Sequence, residues 1–389
     1  MRRTCFGIAA VMVLIVAAGA RGSSLMKEFD PEKYGVIIRP QVADLLDESW
    51  EMEHSHQLTS ALSTAKQALQ TSRSLNDRAG ESVSLLMLGI FYAENKETKP
   101  AIDSFRKSAN LGDKAGISYI TGIALDGLAP LLVSTGQPQG AVDALRRAIV
   151  IHRKLVDRGR EALSLNLLGD TFFTSGQLDK AIEAFGRSIS ISRDRRDKAT
   201  ESSTLIGAAY AYAAVKNPER ALELCARSLK LAEDIEDPER QADALGCIAA
   251  IDRKAGRLKE ALDGLVRCLA LYKDSGNVGE QAETLDRTAV IYLMMVQPEK
   301  ALTSVERARS LYDSIGDKAG QSLALSHVGS IYAAMNEPQK AVDACTKALA
   351  LRKEIGDKKG AASIQAQIDA IQRALEPPVE PDDADRKVA

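Results

Sequence analysis

The chain has 389 residues, 45% of them apolar but only 4% aromatic, so its packing must rest on small and aliphatic side chains. Its 51 basic and 53 acidic residues give a formal net charge of −2 with both signs interleaved; there is no basic stripe for a phosphate backbone, which excludes nucleic acid as the partner. Five cysteines without a CxxC pair are too few for a disulfide-built secreted scaffold.

The first twenty residues stand apart. Arg2 and Arg3 form a short positive region, Phe6 to Ala17 is a continuous apolar run, and Ala18-Gly19-Ala20 is an A-x-A cleavage pattern. Residues 1–20 are therefore expected to be a secretory signal peptide, and the product periplasmic or extracellular. The alternative is an uncleaved N-terminal helix that tethers the chain to a membrane, but the run is shorter than the ~20 residues a spanning helix needs. No other segment is apolar enough to span, so no membrane insertion is expected after cleavage. Cys5 leaves with the signal. Cys225, Cys247, Cys268 and Cys345 are expected as buried thiols, a single incidental bridge being the lesser alternative. Residues 21–40 read as a linker.

From residue 41 the chain repeats every 40 residues. Leu occurs at 45, 85, 125, 165, 205, 245, 285 and 325, and Ala at 61, 101, 141, 181, 221, 261, 301 and 341. Numbered within the period, position 5 is this Leu. Position 9 is small (Ser49, Gly89, Ala129, Gly169, Ala209, Ala249, Ala289, Gly329). Position 12 is mostly aromatic (Tyr92, Phe172, Tyr212, Tyr292, Tyr332). The spacing i, i+4, i+7 marks one face of a helix. A second helix begins near position 18, with the Ala at 21, a bulky residue at 25 (Phe105, Leu145, Phe185, Leu265, Val305) and a small one at 28. Small residues let the two backbones approach, and bulky ones fill the space between them.

The punctuation fits. Gly136, Gly176, Gly256 and Asn336 at position 16 suit a left-handed C-cap, and Pro138, Pro218, Pro298 and Pro338 suit a helix start. Asp77, Asp157, Asp197, Asp237, Asn277, Asp317 and Asp357 at position 37 are placed to N-cap the next unit. The units fall at about 41–76, 77–116, 117–156, 157–196, 197–236, 237–276, 277–316 and 317–356. One is irregular. A Gly-Asp turn at Gly112-Asp113, four residues early, predicts a short second helix followed by a long first helix, and Gly127 with Pro130 predicts a bend there. A capping helix is expected over 358–375. The tail, 376–389, holds three prolines and five acidic residues and should be disordered.

The set Leu165, Leu168-Gly169, Phe172, Ala181, Phe185, Ser188 and its copy Leu325, Val328-Gly329, Tyr332, Ala341, Ala348 resembles the tetratricopeptide repeat (TPR) over roughly residues 41–375. Two departures stand out: Leu replaces the family's usual Trp. Arg153, Arg193, Lys273 and Lys353 stand where a Pro late in the second helix is usual, which lets that helix run longer. This 40-residue form is similar to bacterial arrays fused to CHAT protease domains and to partner-binding arrays of the kinesin-light-chain and LGN type. The resemblance implies an all-α, right-handed superhelical solenoid of eight helix-turn-helix units plus a C-terminal capping helix. It also implies a concave groove lined by the first helices at positions 3, 6, 10 and 13. In this sequence those are Val83, Leu86 and Ile90, then Asp126, Asn166, Asp170, Phe173 and Tyr210. Asp243, Arg253, Glu283 and Asp286 follow, with Arg287 adjacent, and then Ser326 and Ser330. An apolar stretch followed by a mixed, mostly acidic one suits an extended or helical peptide with basic residues toward units six and seven. Asn166 alone does not make a carboxylate clamp.

No catalytic constellation emerges. Gly112-Asp113-Lys114-Ala115-Gly116 and the copy at 316–320 lack the G-K-[ST] ending of a phosphate loop and read as helix caps. Cys345 and His327 could suggest a nucleophile pair, but Cys345 stands at a core position. His54 and His56, with Glu51 and Glu53, lack a completing ligand for zinc and read as solvated turn residues. Trp50 either faces the groove or packs under the linker. The sequence thus predicts an exported, non-enzymatic array without cofactor or metal that binds a protein or peptide as a scaffold or adaptor. The alternatives are a regulatory or sensor module for a separately encoded enzyme such as a protease, and a structural spacer.

Overall fold

The structure, a computed structural model, describes residues 36–374 apart from His56. The segment expected as a signal, residues 21–35 of the linker, His56 and the acidic tail lie outside the described residues. Those described form 17 helices and no strand.

The chain divides into two compact units, Met1–Asn217 and Pro218–Ala389. The first holds α1 (Pro40–His54), α2 (Leu58–Ser74), α3 (Arg78–Glu94), α4 (Thr98–Ala115), α5 (Ser118–Ser134), α6 (Pro138–Lys154), α7 (Arg158–Thr174), α8 (Leu178–Asp194) and α9 (Lys198–Ala214). The second holds α10 (Pro218–Asp234), α11 (Pro238–Lys254), α12 (Leu258–Asp274), α13 (Val278–Met294), α14 (Pro298–Ser314), α15 (Lys318–Ala334), α16 (Pro338–Glu354) and α17 (Lys358–Arg373). Within each unit every helix packs on the one before and the one after it in the chain. Nearest-neighbour packing of this kind is the hallmark of a solenoid.

The repeated small residues do what their size permits. The Ala at position 21 is fully buried in all eight repeats, and at that position any larger side chain would push two helix backbones apart. Around it, Leu285, Val305, Tyr312, Val328 and Ile331 form one continuous cluster through α13–α15. Where position 25 is Phe, glycines make room for the ring. A Cβ on Gly89 or Gly127 would stand 2.7 or 2.8 Å from the Phe105 ring, and one on Gly169 or Gly207 would stand 2.5 or 2.7 Å from Phe185. Each Phe is thus wedged between its own first helix and the next repeat's.

The turns reveal a finer period than the sequence suggested. A left-handed residue recurs every 20 positions from Asn76 to Gly356, once after each helix from α2 to α16. Each such turn closes a Schellman pair, as where Asn76 N–H donates to Arg73 O and Asp77 N–H to Ser72 O. Glycine occupies seven of these sites, but Lys96, Val156, Arg196, Lys216, Glu236 and Val296 are among the L-residues held at φ between 53° and 61°. The seven Asp and Asn residues at position 37 all cap as expected: their side chains accept from the backbone N–H three residues on, from Gly80 to Gly360. Each such cap is worth about 1 kcal/mol.

The irregular second unit is corrected by this phase. Helix α4 runs through Gly112-Asp113 to Ala115 and, at 18 residues, is not short, while α5 has the ordinary 17. The left-handed residue is Gly116 at φ 72°, in step with every other turn. Gly112 is a packing glycine, since a Cβ there would lie 2.5 Å from the Thr121 hydroxyl. Pro130 sits inside α5 without ending it. At the other end α17 buries only Ile364 and Ile368 and shows a polar outer face, as expected of a cap.

Candidate inner-face binding surface

In the N-terminal unit the first helices touch one another directly: α1 on α3, α3 on α5, α5 on α7, and α7 on α9. Their inner faces are consequently filled. Val83, Leu86 and Ile90 are buried, so the expected apolar entrance to a groove is interior packing. Asp126 is also buried: its carboxylate is held 2.9 Å from His152 Nε2 on α6 and accepts from Ser164 Oγ on α7 at 2.6 Å. The imidazole lies so close to α5 that a Cβ on Gly122 would stand 2.6 Å from its Cε1. This His–Asp–Ser set braces three helices. The serine bonds to the carboxylate and not to the imidazole, the wrong order for activating a nucleophile. Asn166 is buried too, leaving Asp170, Phe173 and Tyr210 partly exposed.

In the C-terminal unit the expected groove residues form a ladder between successive first helices. Arg287 donates to Gly246 O at 2.6 Å, tying α13 to α11. His327 Nδ1 meets Asp286 at 2.7 Å, tying α15 to α13. Ser326 donates to Gln367 on α17 at 2.6 Å, and Gln367 donates back to Ser330 at 2.9 Å. Asp286 is buried by this arrangement, Arg287, Ser326 and Ser330 are half-buried, and Glu283 remains exposed, with Arg253 half so. Asp243 accepts from the buried Tyr272 hydroxyl at 2.9 Å. Burial pushes Asp243 up to about 6 against that hydrogen bond. Glu280 rises to about 7, mainly by burial and then by the charges of Glu283 and Asp243, with Arg287 opposing.

The remaining candidates fall as structural residues. Burial raises the Cys345 thiol to about 11, which keeps it protonated, and His327 is engaged by Asp286. Trp50 is buried and packs against the His54 ring at 4.6 Å, so it does not face a groove. His54 Nδ1 lies 2.8 Å from Glu53. Among the described residues no group of three or more His, Cys, Asp or Glu side chains could hold a metal ion, and no helix is long and apolar enough to cross a membrane. Cys268 is a free buried thiol, as expected. Cys225 and Cys247 are not: they are joined in a disulfide between α10 and α11. Sequence reasoning missed this pair, along with His152, Ser164, Tyr272 and Gln367. The available signal was their position number, because residues that touch across repeats sit at fixed offsets.

Tetratricopeptide-repeat family profiles match residues 162–195 and 324–359, the fourth and eighth repeats. These two repeats match the tetratricopeptide repeat, and the helical array shares its fold. Its TPR fold is shared with the apo form of the quorum sensor NprR from B. thuringiensis, at TM-score 0.61 and 13% identity over 90% of this chain and 97% of that one. A Rap protein complexed with competence and sporulation factor aligns at TM-score 0.56 and 14% identity, over 87% and 99% of the two chains. A signal-transduction ATPase of the STAND class with a tetratricopeptide-repeat sensor, from Pyrococcus horikoshii, aligns at 0.56 and 13%, over 94% of this chain and 64% of that one. At these identities the likeness is one of fold. Among curated proteins none matches the sequence. The TPR architecture is that of a protein-interaction scaffold.

Proposed function

We propose that this TPR array works outside the cytoplasm as a non-catalytic adaptor that binds a protein segment or peptide along the exposed part of its first helices. The observation that carries the reading is the partial opening of the inner row. The apolar and acidic residues that brace neighbouring repeats are buried, whereas Asp170, Phe173 and Tyr210 in one unit and Arg253 and Glu283 in the other keep accessible surface. Phe173 and Tyr210 suit apolar side chains of such a segment, and Asp170 and Glu283 suit basic ones. The Rap protein complexed with competence and sporulation factor is a ligand-bound example of a similar fold. The STAND protein's repeat sensor favours a second reading, in which binding is relayed to a separately encoded enzyme.

Export is proposed on the charged start, the apolar run and the A-x-A pattern of residues 1–20. Mass measurement of secreted protein should show a mature chain beginning at Arg21; an intact Met1 there removes the cleaved-signal reading. The binding surface is tested by capture from envelope extract with three proteins: the native chain, a Phe173→Ala/Tyr210→Ala/Glu283→Lys variant, and a control on an exposed second-helix residue, Arg187→Glu. A partner held by the native chain and the control but lost by the inner-face variant supports the proposal. Equal capture by all three refutes inner-face recognition.

A further inference from the structure

We infer that Cys225 and Cys247 are a built-in oxidative modification site, a crosslink that staples repeat five to repeat six. It is closed by disulfide exchange with a thiol–disulfide oxidant before the two helices dock. Position 25 of one unit lies against position 7 of the next, 22 residues on. In the N-terminal unit this contact is made twice by a ring on a glycine, Phe105 on Gly127 and Phe185 on Gly207. Cys225 and Cys247 occupy the same two positions with the same separation of 22. The Cα atoms lie 6.2 Å apart, within the span a disulfide bridges. The bond therefore joins two positions that are already in contact in other repeats. The two other cysteines of the array lack this geometry: Cys268 stands at position 28, and Gln367 stands 22 residues beyond Cys345. Both remain free thiols.

Both sulfurs are wholly buried, which fixes the order of events. One thiol loses its proton, and the thiolate attacks a disulfide of the oxidant, expelling one oxidant thiolate and leaving a mixed disulfide. The second thiol, deprotonated in turn, attacks the bridged cysteine sulfur, forms the Cys225–Cys247 bond and expels the second oxidant thiolate. Two electrons and two protons leave the chain, and the oxidant's disulfide ends as a dithiol. No oxidant reaches the sulfurs once α10 rests on α11, so exchange precedes docking, and the closed bond is shielded from reductant while the unit stays folded. Such bonds persist in oxidising compartments, which agrees with the proposed export but does not depend on it.

The test uses the full chain, refolded from reductant with oxidised and reduced glutathione, alkylated and peptide-mapped without reduction. The expected result is one linked pair, Cys225 with Cys247, with Cys268 and Cys345 alkylated only after unfolding. Reduction under unfolding conditions followed by refolding in reductant should lower Tm by about 10 °C, as for loss of a loop of this length. The variant Cys225→Phe/Cys247→Gly restores the ring-on-glycine contact without sulfur; it should fold, and its Tm should not respond to reductant. Unlinked Cys225 and Cys247 after oxidative refolding would overturn the inference, as would an equal response of wild type and variant to reductant. Subcellular fractionation reads export separately, so a cytoplasmic chain that still forms the pair in vitro would refute export alone.

Discussion

Replacing Val296 by glycine should make the protein more stable, against the usual rule that glycine loosens a chain. Val296 is the left-handed residue after α13, at φ 57°, and its side chain is 85% exposed. It therefore gives up almost no burial when removed. An L-residue held in this region costs about 1–2 kcal/mol, and a β-branched one is rare there. Glycine removes that cost but loses about 0.5–1 kcal/mol more chain entropy on folding. The difference is a gain of roughly 0.5–1 kcal/mol, or about 1–4 °C in Tm. The reciprocal change in the next turn, Gly316→Ala, should lose a similar amount. A Cβ at Gly316 meets nothing within 4 Å, so any loss there comes from backbone conformation and not from a clash. Thermal unfolding followed by far-UV circular dichroism, with hydrogen exchange in α13 and α15 as a local probe, measures both. If Val296→Gly is neutral or harmful, or if Gly316→Ala costs nothing, the strain argument fails.

Asp317→Ala removes the cap of α15 and should cost about 1 kcal/mol, read by urea denaturation, whereas Asp317→Asn should restore most of it. Gly122→Ala should cost about 1–3 kcal/mol by driving a methyl into the His152 ring, and a second change, His152→Ala, should relieve part of that penalty if the clash is its cause. Acidity should favour the C-terminal unit. Asp243, at about 6 against an ordinary 3.8, and Glu280, at about 7 against 4.5, hold protons in the folded state that the unfolded chain releases. Stability from these groups is therefore full below about pH 4 and falls as pH rises to about 7, so the unit should melt lower at pH 8 than at pH 5. Asp243→Asn/Glu280→Gln should flatten that slope; an unchanged slope in the double variant would assign it to other groups.

What the sequence made legible was whatever depends on position within a repeat. The seven caps could be read because a side-chain cap acts on its own helix within three residues. The buried Ala of every repeat could be read because close backbone approach permits little else. Burial of the inner face could not. Val83, Leu86 and Ile90 stand at positions that a general repeat pattern leaves open, and the direct contacts of α3 with α1 and α5 close them. The same holds for Asp286 and Arg287, whose partners His327 and Gly246 lie a whole repeat away. Gly112-Asp113 misled for a different reason. The dipeptide resembles a turn but stands out of phase, and the phase places the turn at Gly116. The Cys225–Cys247 pair shares its offset of 22 residues with Phe105 and Gly127, so position within the repeat places the two cysteines together.

The uniform turn has a consequence for how such a chain can change length. Each helix from α2 to α16 is followed by a left-handed residue at the same phase, so the array has an internal ruler of twenty residues. A genetic gain or loss of forty residues keeps every Asp cap ahead of a first helix and every buried Ala in a second helix, and leaves the ends of the stack intact. A change of twenty would keep the helices and turns but set two like helices side by side, putting small residues where bulky ones must fill space. Any indel outside those multiples would rotate the apolar stripe off its neighbour. Length variation among natural or designed versions of this array should therefore be quantised, with α17 and its polar outer face always carried at the end.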